Sequence, residues 1–354
     1  MKSDRGYRSG GVTAANDVIT SRDNRWLKEF RVALRGGVAT SSGAVGVEGV
    51  RLVEEALTSG CRVEAVLFGE SGERHRERLA PLIGRPEVGF PVLKTTDRLF
   101  EGVADTEHPQ GLAALVVPRV WTLDELLGGG SGDWHLASAE KGHNRNSKLE
   151  IQEQHTGLRA GATQEACAPL IVVLAGVQDP GNVGMILRTA SAFGATGAVT
   201  AATGQSGTAS PFAPKALRAS AGAALHIPIA SGMAFGILLA QLKVRGIRTL
   251  ASCVEQAGER YQISDIGYQE RPALGLKQGG DARGGALPPW EVDWREAVAL
   301  LVGNEGAGLP EDIVRGADAC VHIPMAGRVE SLNAAAAAAV VLYEAFRQRN
   351  KEKV

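Results

Sequence analysis

The chain has 354 residues, 44% hydrophobic and 22% charged, with a formal net charge of −1. That length predicts two domains, and that balance suits a soluble globular protein with a buried core. The opening MKSDRGYRSGG lacks the apolar segment of a signal peptide and no apolar run approaches ~18 residues, so a cytoplasmic protein with no membrane partner is expected.

The near-neutral total hides a basic start, because residues 1–35 hold eight Lys or Arg against four acids. Arg22, Arg25, Lys28, Arg31 and Arg35 suit a polyanion, although a solvated tail has the same composition. Residues 18–120 read as a small α/β domain. Val50 to Leu57 has helical spacing, while Val63 to Phe68, Pro91 to Leu93 and Gly111 to Val117 read as strands. Cys61, Cys167, Cys253 and Cys320 are scattered, with no C-x-x-C or Cys/His ligand spacing, which predicts a reducing compartment and no metal.

Residues 121–168 turn polar and glycine-rich, with GGGSGD, KGHNRNSK and QEQHTG, and read as a linker. Residues 169–350 then alternate helical patterns with strand candidates at 171–177, 197–201, 225–229, 247–253, 297–302 and 320–323. This alternation predicts a mostly parallel sheet covered on both faces. A second polar stretch at about 268–290 interrupts that domain as a predicted surface insertion.

No G-x-G-x-x-G opens a helix and no P-loop is present, which argues against dehydrogenase and P-loop chemistry. Three polar clusters stand instead, each at the end of a strand, where open α/β sheets bind ligands. The first runs from Gly176 to Arg188. Its Asp179-Pro180-Gly181-Asn182 has turn chemistry, and Val183, Ile186, Leu187 and Ala190 then repeat at helical spacing. Arg188 falls opposite that apolar stripe, as an ordinary surface arginine would, and Asn182 reads as a helix cap. The second cluster, Gly303-Asn304-Glu305-Gly306-Ala307-Gly308, permits close approach of a ligand, or is a turn before a helix near Pro310. In the third, Ile323 to Asn333 precedes six alanines, and Ser331 or Asn333 is placed to cap the helix they predict.

Together the clusters contain N-x-G-x-x-x-R, G-N-E-G-x-G-L and I-P-M-x-G-x-x-x-S-L-N. In that order they resemble the SpoU/TrmH family of the SPOUT methyltransferase superfamily. Pro214 to Ala223 is similar to the family as well. In the first half, Ser21 to Asn24, Val47-Glu48-Gly49 and Thr106 to Ala113 resemble the substrate-binding domain that precedes many such enzymes.

The resemblance implies a trefoil-knotted, mostly parallel-sheet catalytic domain preceded by a small α/β RNA-binding domain, working as a homodimer. A knot departs from the general rule for protein topology, and periodicity gives no sign of it. The implied reaction moves a methyl group from S-adenosylmethionine to a ribose 2′-hydroxyl, without metal, with ribosomal RNA favoured over transfer RNA. Carried over by motif, Gly303, Ile323 and Leu332 line the cofactor pocket. Arg188 activates the hydroxyl, with Asn182, Glu305, Ser331 and Asn333 around it. Lys215 and Arg218 join the N-terminal cations as RNA contacts. Because a guanidinium stays protonated up to pH ~12, Arg188 has a second reading as a clamp on the adjacent phosphate. The alternative to an enzyme is a catalytically silent RNA-binding or ribosome-assembly factor of the same fold. Ser210 stands where the family pattern carries an acidic residue.

Overall fold

The computed structural model describes residues 18–84, 89–128, 168–203, 207–253, 286–304, 306–326 and 331–350. The chain divides into two compact units, residues 1–119 with 212–217 and residues 120–211 with 218–354.

In the first unit, helix α1 (Arg25–Leu34) starts where the Asn24 side chain accepts the Trp26 N–H at 2.9 Å. Leu27, Phe30, Ala33 and Leu34 recur at helical spacing and are buried, leaving Arg25, Lys28 and Val32 on the open face. A five-stranded sheet is built from β1 (Val18–Ile19), β2 (Val45–Glu48), β3 (Arg62–Phe68), β4 (Val92–Thr95) and β5 (Leu112–Val117), in the order β1-β4-β3-β5-β2. β1 and β3 run parallel to β4, whereas β5 is antiparallel to β3 and β2. Helices α2 (Val50–Thr58), α3 (Arg76–Ile83) and α4 (Asp97–Glu101) complete the unit.

The second unit opens on α5 (Leu123–Gly128), in the stretch expected to be linker. Leu123 and Leu126 instead join the core, and Leu126 fills the space that a side chain at Gly197 would need. The linker reading missed this helix because it holds only six residues and its composition blends into the glycines that follow. Residues 129–167 lie outside the described residues.

Six strands form one parallel sheet: β6 (Leu170–Ala175), β7 (Gly197–Ala202), β8 (Ile229–Ala234), β9 (Arg248–Ser252), β10 (Val298–Val302) and β11 (Ala319–Val321). Every residue of β6 and β10 is buried, which accounts for their unbroken apolar sequences. The expected strand at 225–229 shifts forward, because Ala223–Leu225 is a 3-10 turn and β8 begins only at Ile229. Helices α6 (Pro180–Ala192), α7 (Pro214–Ala219), α8 (Phe235–Val244), α9 (Glu311–Gly316) and α10 (Ala334–Arg349) connect or follow these strands.

The strand order is β11-β9-β10-β6-β7-β8. From β6 the chain moves outward through β7 and β8, then returns to build β9 and β10 on the other side. The reversal places a topological switch point between the carboxyl ends of β6 and β10, where such sheets open a crevice for ligands. The predicted insertion ends earlier than 290: Leu287 bridges β11 through its own N–H to Cys320 O at 2.9 Å and the His322 N–H to Leu287 O at 3.0 Å. Trp294 just beyond is fully buried, its indole N–H donating to Pro289 O.

Candidate active site

β6 is followed at once by Gly176, whose φ of 76° is a left-handed conformation that favours glycine, and a Cβ there would lie 2.7 Å from Thr203 Oγ1. The Gly176 N–H donates to Thr208 Oγ1 at 2.9 Å, and that hydroxyl lies 2.8 Å from Leu174 O and 2.9 Å from Ala201 O. Thr208 thereby ties the ends of β6 and β7 together. Sequence reasoning missed it, since one threonine in a polar loop carries no spacing signal.

Across the switch point, β10 is followed at once by Gly303, where a Cβ would meet the Gly308 backbone at 2.5 Å. Asn304 and Gly308 exchange two backbone hydrogen bonds, and Asn304 Oδ1 accepts from the Gly306 and Ala307 N–H groups at 2.9 and 3.0 Å. Its Nδ2 donates to Gly176 O at 3.2 Å. One asparagine thus shapes the glycine loop and joins it to the end of β6.

The cap of α6 is Asp179, whose carboxylate accepts the Asn182 N–H at 3.1 Å. This corrects the reading of Asn182 as the cap. Asn182 stands one turn inside, buried, and its Oδ1 accepts from Asn333 Nδ2 at 3.1 Å. Asn333 in turn caps α10, accepting from the Ala335 and Ala336 N–H groups. The two helix starts are therefore joined side chain to side chain, bringing the first motif beside the end of the third.

Arg188 lies six residues along α6 from Asn182, about 9 Å of helix rise. It is exposed, opposite the buried Val183, Ile186, Leu187 and Ala190, and it makes no hydrogen bond or ion pair to any other described residue. Ser331 and Leu332 are also exposed, and Ile323 is half-buried. Accessible leucine and isoleucine side chains fit the flat apolar face of an adenine. Glycine-built strand ends let a nucleoside approach the backbone closely. Glu305, expected in this site, lies outside the described residues.

Among the predicted RNA contacts, Arg22, Arg25, Lys28 and Arg35 are exposed, as are Lys215 and Arg218 on α7. Lys28 pairs with Asp23 at 3.3 Å. Arg31 is half-buried and donates to Gly102 O, so it serves the first unit's own packing. The remaining motifs of that unit are also structural. Buried Glu48 accepts the Asp105 and Thr106 N–H groups and the Thr106 hydroxyl, and Gln110 Oε1 accepts the Val50 N–H at the start of α2.

The thiols are less scattered than their numbering implied, since Cys253, just past the end of β9, interacts with Cys320 on the neighbouring β11 and also lies 3.5 Å from Ala251 O. The hydrogen bond between them lowers the Cys320 thiol to about 7 against the opposing effect of burial, and raises that of Cys253. Among the described residues no three His, Cys, Asp or Glu could hold a metal together, and no helix is long and apolar enough to cross a membrane.

Residues 169–343 match the SpoU rRNA methylase family, and residues 40–114 match the MRM3-like substrate binding domain. An uncharacterized tRNA/rRNA methyltransferase of Synechocystis is 34% identical over 94% of this chain and 94% of its own length. The chain belongs to the SpoU/TrmH family of RNA methyltransferases. It is accordingly an S-adenosylmethionine-dependent enzyme. It is 28% identical to the 23S rRNA (guanosine(2553)-2′-O)-methyltransferase RlmP of Bacillus subtilis, over 92% of this chain and 97% of that one. The fold matches the AdoMet-bound rRNA methyltransferase of Sinorhizobium meliloti with a TM-score of 0.64 at 24% identity, covering 94% and 97% of the two chains. It also matches AviRb of Streptomyces viridochromogenes at 0.62 and 23%, covering 93% and 99%.

Proposed function

We propose that this methyltransferase acts on a ribose 2′-hydroxyl of ribosomal RNA in the cytoplasm, as a homodimer with the knotted topology of its family. The observation that carries the reading is Arg188, a cation left exposed and, among the described residues, unpaired on the helix whose start is bonded to the start of α10. The name of the Bacillus subtilis relative supports ribosomal RNA and ribose 2′-oxygen.

When bound, S-adenosylmethionine supplies an electrophilic methyl group on a sulfonium, which is a good leaving group. Gly303, Ile323 and Leu332 hold it. A ribose hydroxyl is a weak nucleophile at neutral pH, so much of the rate comes from presenting it in line. The planar guanidinium fork of Arg188 suits a two-point grip on the phosphate and 2′-oxygen of the target nucleotide. Asn182 and Asn333 act behind it by fixing the two helix starts, while Ser331 and Glu305 flank the reacting ribose. Arg25, Lys28 and Arg35 meet RNA phosphates.

The homodimer reading uses the outer face of α10. Ala338 is buried within the protomer, together with Ala335, Val341, Leu342 and Ala345. Ala336, Val340 and Tyr343 recur one turn apart on the opposite, exposed side, where a second copy would cover them.

Mapping 2′-O-methyl groups in RNA from cells with and without the gene tests the reaction. Loss of one ribosomal site is expected. An unchanged ribose map with a lost base methyl group would reject the ribose reading.

A further inference from the structure

An open depression of about 460 Å³ in the first unit is lined by Trp26, Arg62, Val63, Glu64, Gly89 and Phe90. That volume falls in the range of small-molecule sites, ~300–1,000 Å³. Trp26 and Phe90 are both half-buried. The Arg25 guanidinium stands 4.8 Å from the Trp26 ring centroid, yet Arg25 does not line the depression, so the indole meets it on a surface the guanidinium leaves free.

Glu64 supplies the polar group. Its side chain is only 15% exposed, and its carboxylate meets Arg62 Nη1 at 3.0 Å and the Ser42 hydroxyl at 2.7 Å. A carboxylate has about four lone-pair positions, so two bonds leave acceptor capacity facing the depression. Two aromatic residues, a poised acceptor and two flanking guanidinium groups together match how proteins take up splayed-out RNA bases. Such bases stack on aromatic or arginine planes and are read along their hydrogen-bonding edge.

We infer that this depression receives one unpaired nucleobase of the RNA substrate, stacked on Trp26 and Phe90, with its exocyclic amino group donating to Glu64. Arg62 and Arg25 meet the phosphates on either side. The inference rests on the reading of the substrate as RNA and adds where a base is held and what is read. Adenine, cytosine and guanine each carry an amino group. Uracil has none, and its single edge N–H sits between two carbonyl oxygens that a carboxylate would repel.

The test uses the full chain and fluorescently labelled single strands of about ten nucleotides, a span suited to one compact binding site. A structured ribosomal RNA fragment is titrated in parallel. Oligo(A) and oligo(C) should bind at least ~3-fold more tightly than oligo(U), and Glu64→Gln, which can also donate, should erase that preference. Trp26→Ala and Phe90→Ala should each weaken binding by ~5- to 100-fold, the range for a lost stacking partner, while Trp26→Phe stays near wild type. Melting temperature and cofactor affinity report on folding. If Glu64→Gln keeps the wild-type base preference while Phe90→Ala melts and binds as wild type does, the base site is wrong although the protein still binds RNA. If neither single strands nor the structured fragment binds, the RNA reading falls with it.

Discussion

Glu48 in the first unit and Arg188 in the second are both polar members of motifs, but the structure treats them in opposite ways. Glu48 is buried and spends its carboxylate on two backbone N–H groups and a hydroxyl of residues 105 and 106. Arg188 is exposed and meets no other described polar group. Asn182, Asn304 and Asn333 fall between them, each tying one segment of the second unit to another. A motif shows where polar groups are required, whereas a residue's existing partners show whether it serves the fold or is left for a substrate.

The sharpest way to break this contrast is Arg188→Ala. It should leave melting temperature and cofactor affinity nearly unchanged, since exposed substitutions usually shift stability by under ~0.5 kcal/mol. Methyl transfer should fall ~100-fold or more. Arg188→Lys should recover part of the rate if a point charge suffices, and little if the planar fork matters. A wild-type rate in Arg188→Ala would return the arginine to the ordinary surface.

Glu48→Ala should behave in the reverse manner. Removing the acceptor leaves three donors near residues 105 and 106 unsatisfied, so unfolding free energy should drop by ~2–3 kcal/mol with cofactor affinity intact. Lost RNA binding at unchanged stability would show instead that Glu48 faces the substrate.

Along α10 the same contrast separates packing from association. A leucine at buried Ala338 overfills a closed site and should lower stability by ~1–3 kcal/mol without changing the oligomeric state. Val340→Glu should spare the fold of the unit and shift sedimentation from dimer toward monomer. A wild-type protein that is monomeric at micromolar concentration would end the dimer reading outright.

The smallest expected effect lies at the thiol pair. With its thiol lowered to about 7, Cys320 should be alkylated near pH 7.5 several-fold faster than Cys253, whose thiol is raised. Replacing Cys253 by Ala removes the hydrogen bond and should slow Cys320 at that pH. Peptide mapping by mass spectrometry that finds equal labelling would show the pairing is absent in solution.

Local chemistry made several features readable in the sequence alone. The unbroken apolar runs of β6 and β10 announced buried parallel strands, because both faces of those strands are covered. The apolar spacing along α6 fixed the outward face of Arg188, because a helix turns 100° per residue wherever it is placed. The first two polar clusters also marked the ends of β6 and β10, the strands on either side of the switch point.

Tertiary structure decided the rest, since partners far apart in number leave no local pattern. Asn182 read as a cap until Asp179 took that place and Asn333, 151 residues away, took its side chain. Leu126 belonged to an apparent linker until Gly197 made room for it. Thr208, the Cys253–Cys320 contact and the inward turn of Ala338 likewise exist only once separate segments share a surface. Sequence periodicity specifies direction about an element's own axis. Which element stands on the other side follows from packing, and packing is what separates the residues that hold this fold from those it leaves to meet RNA.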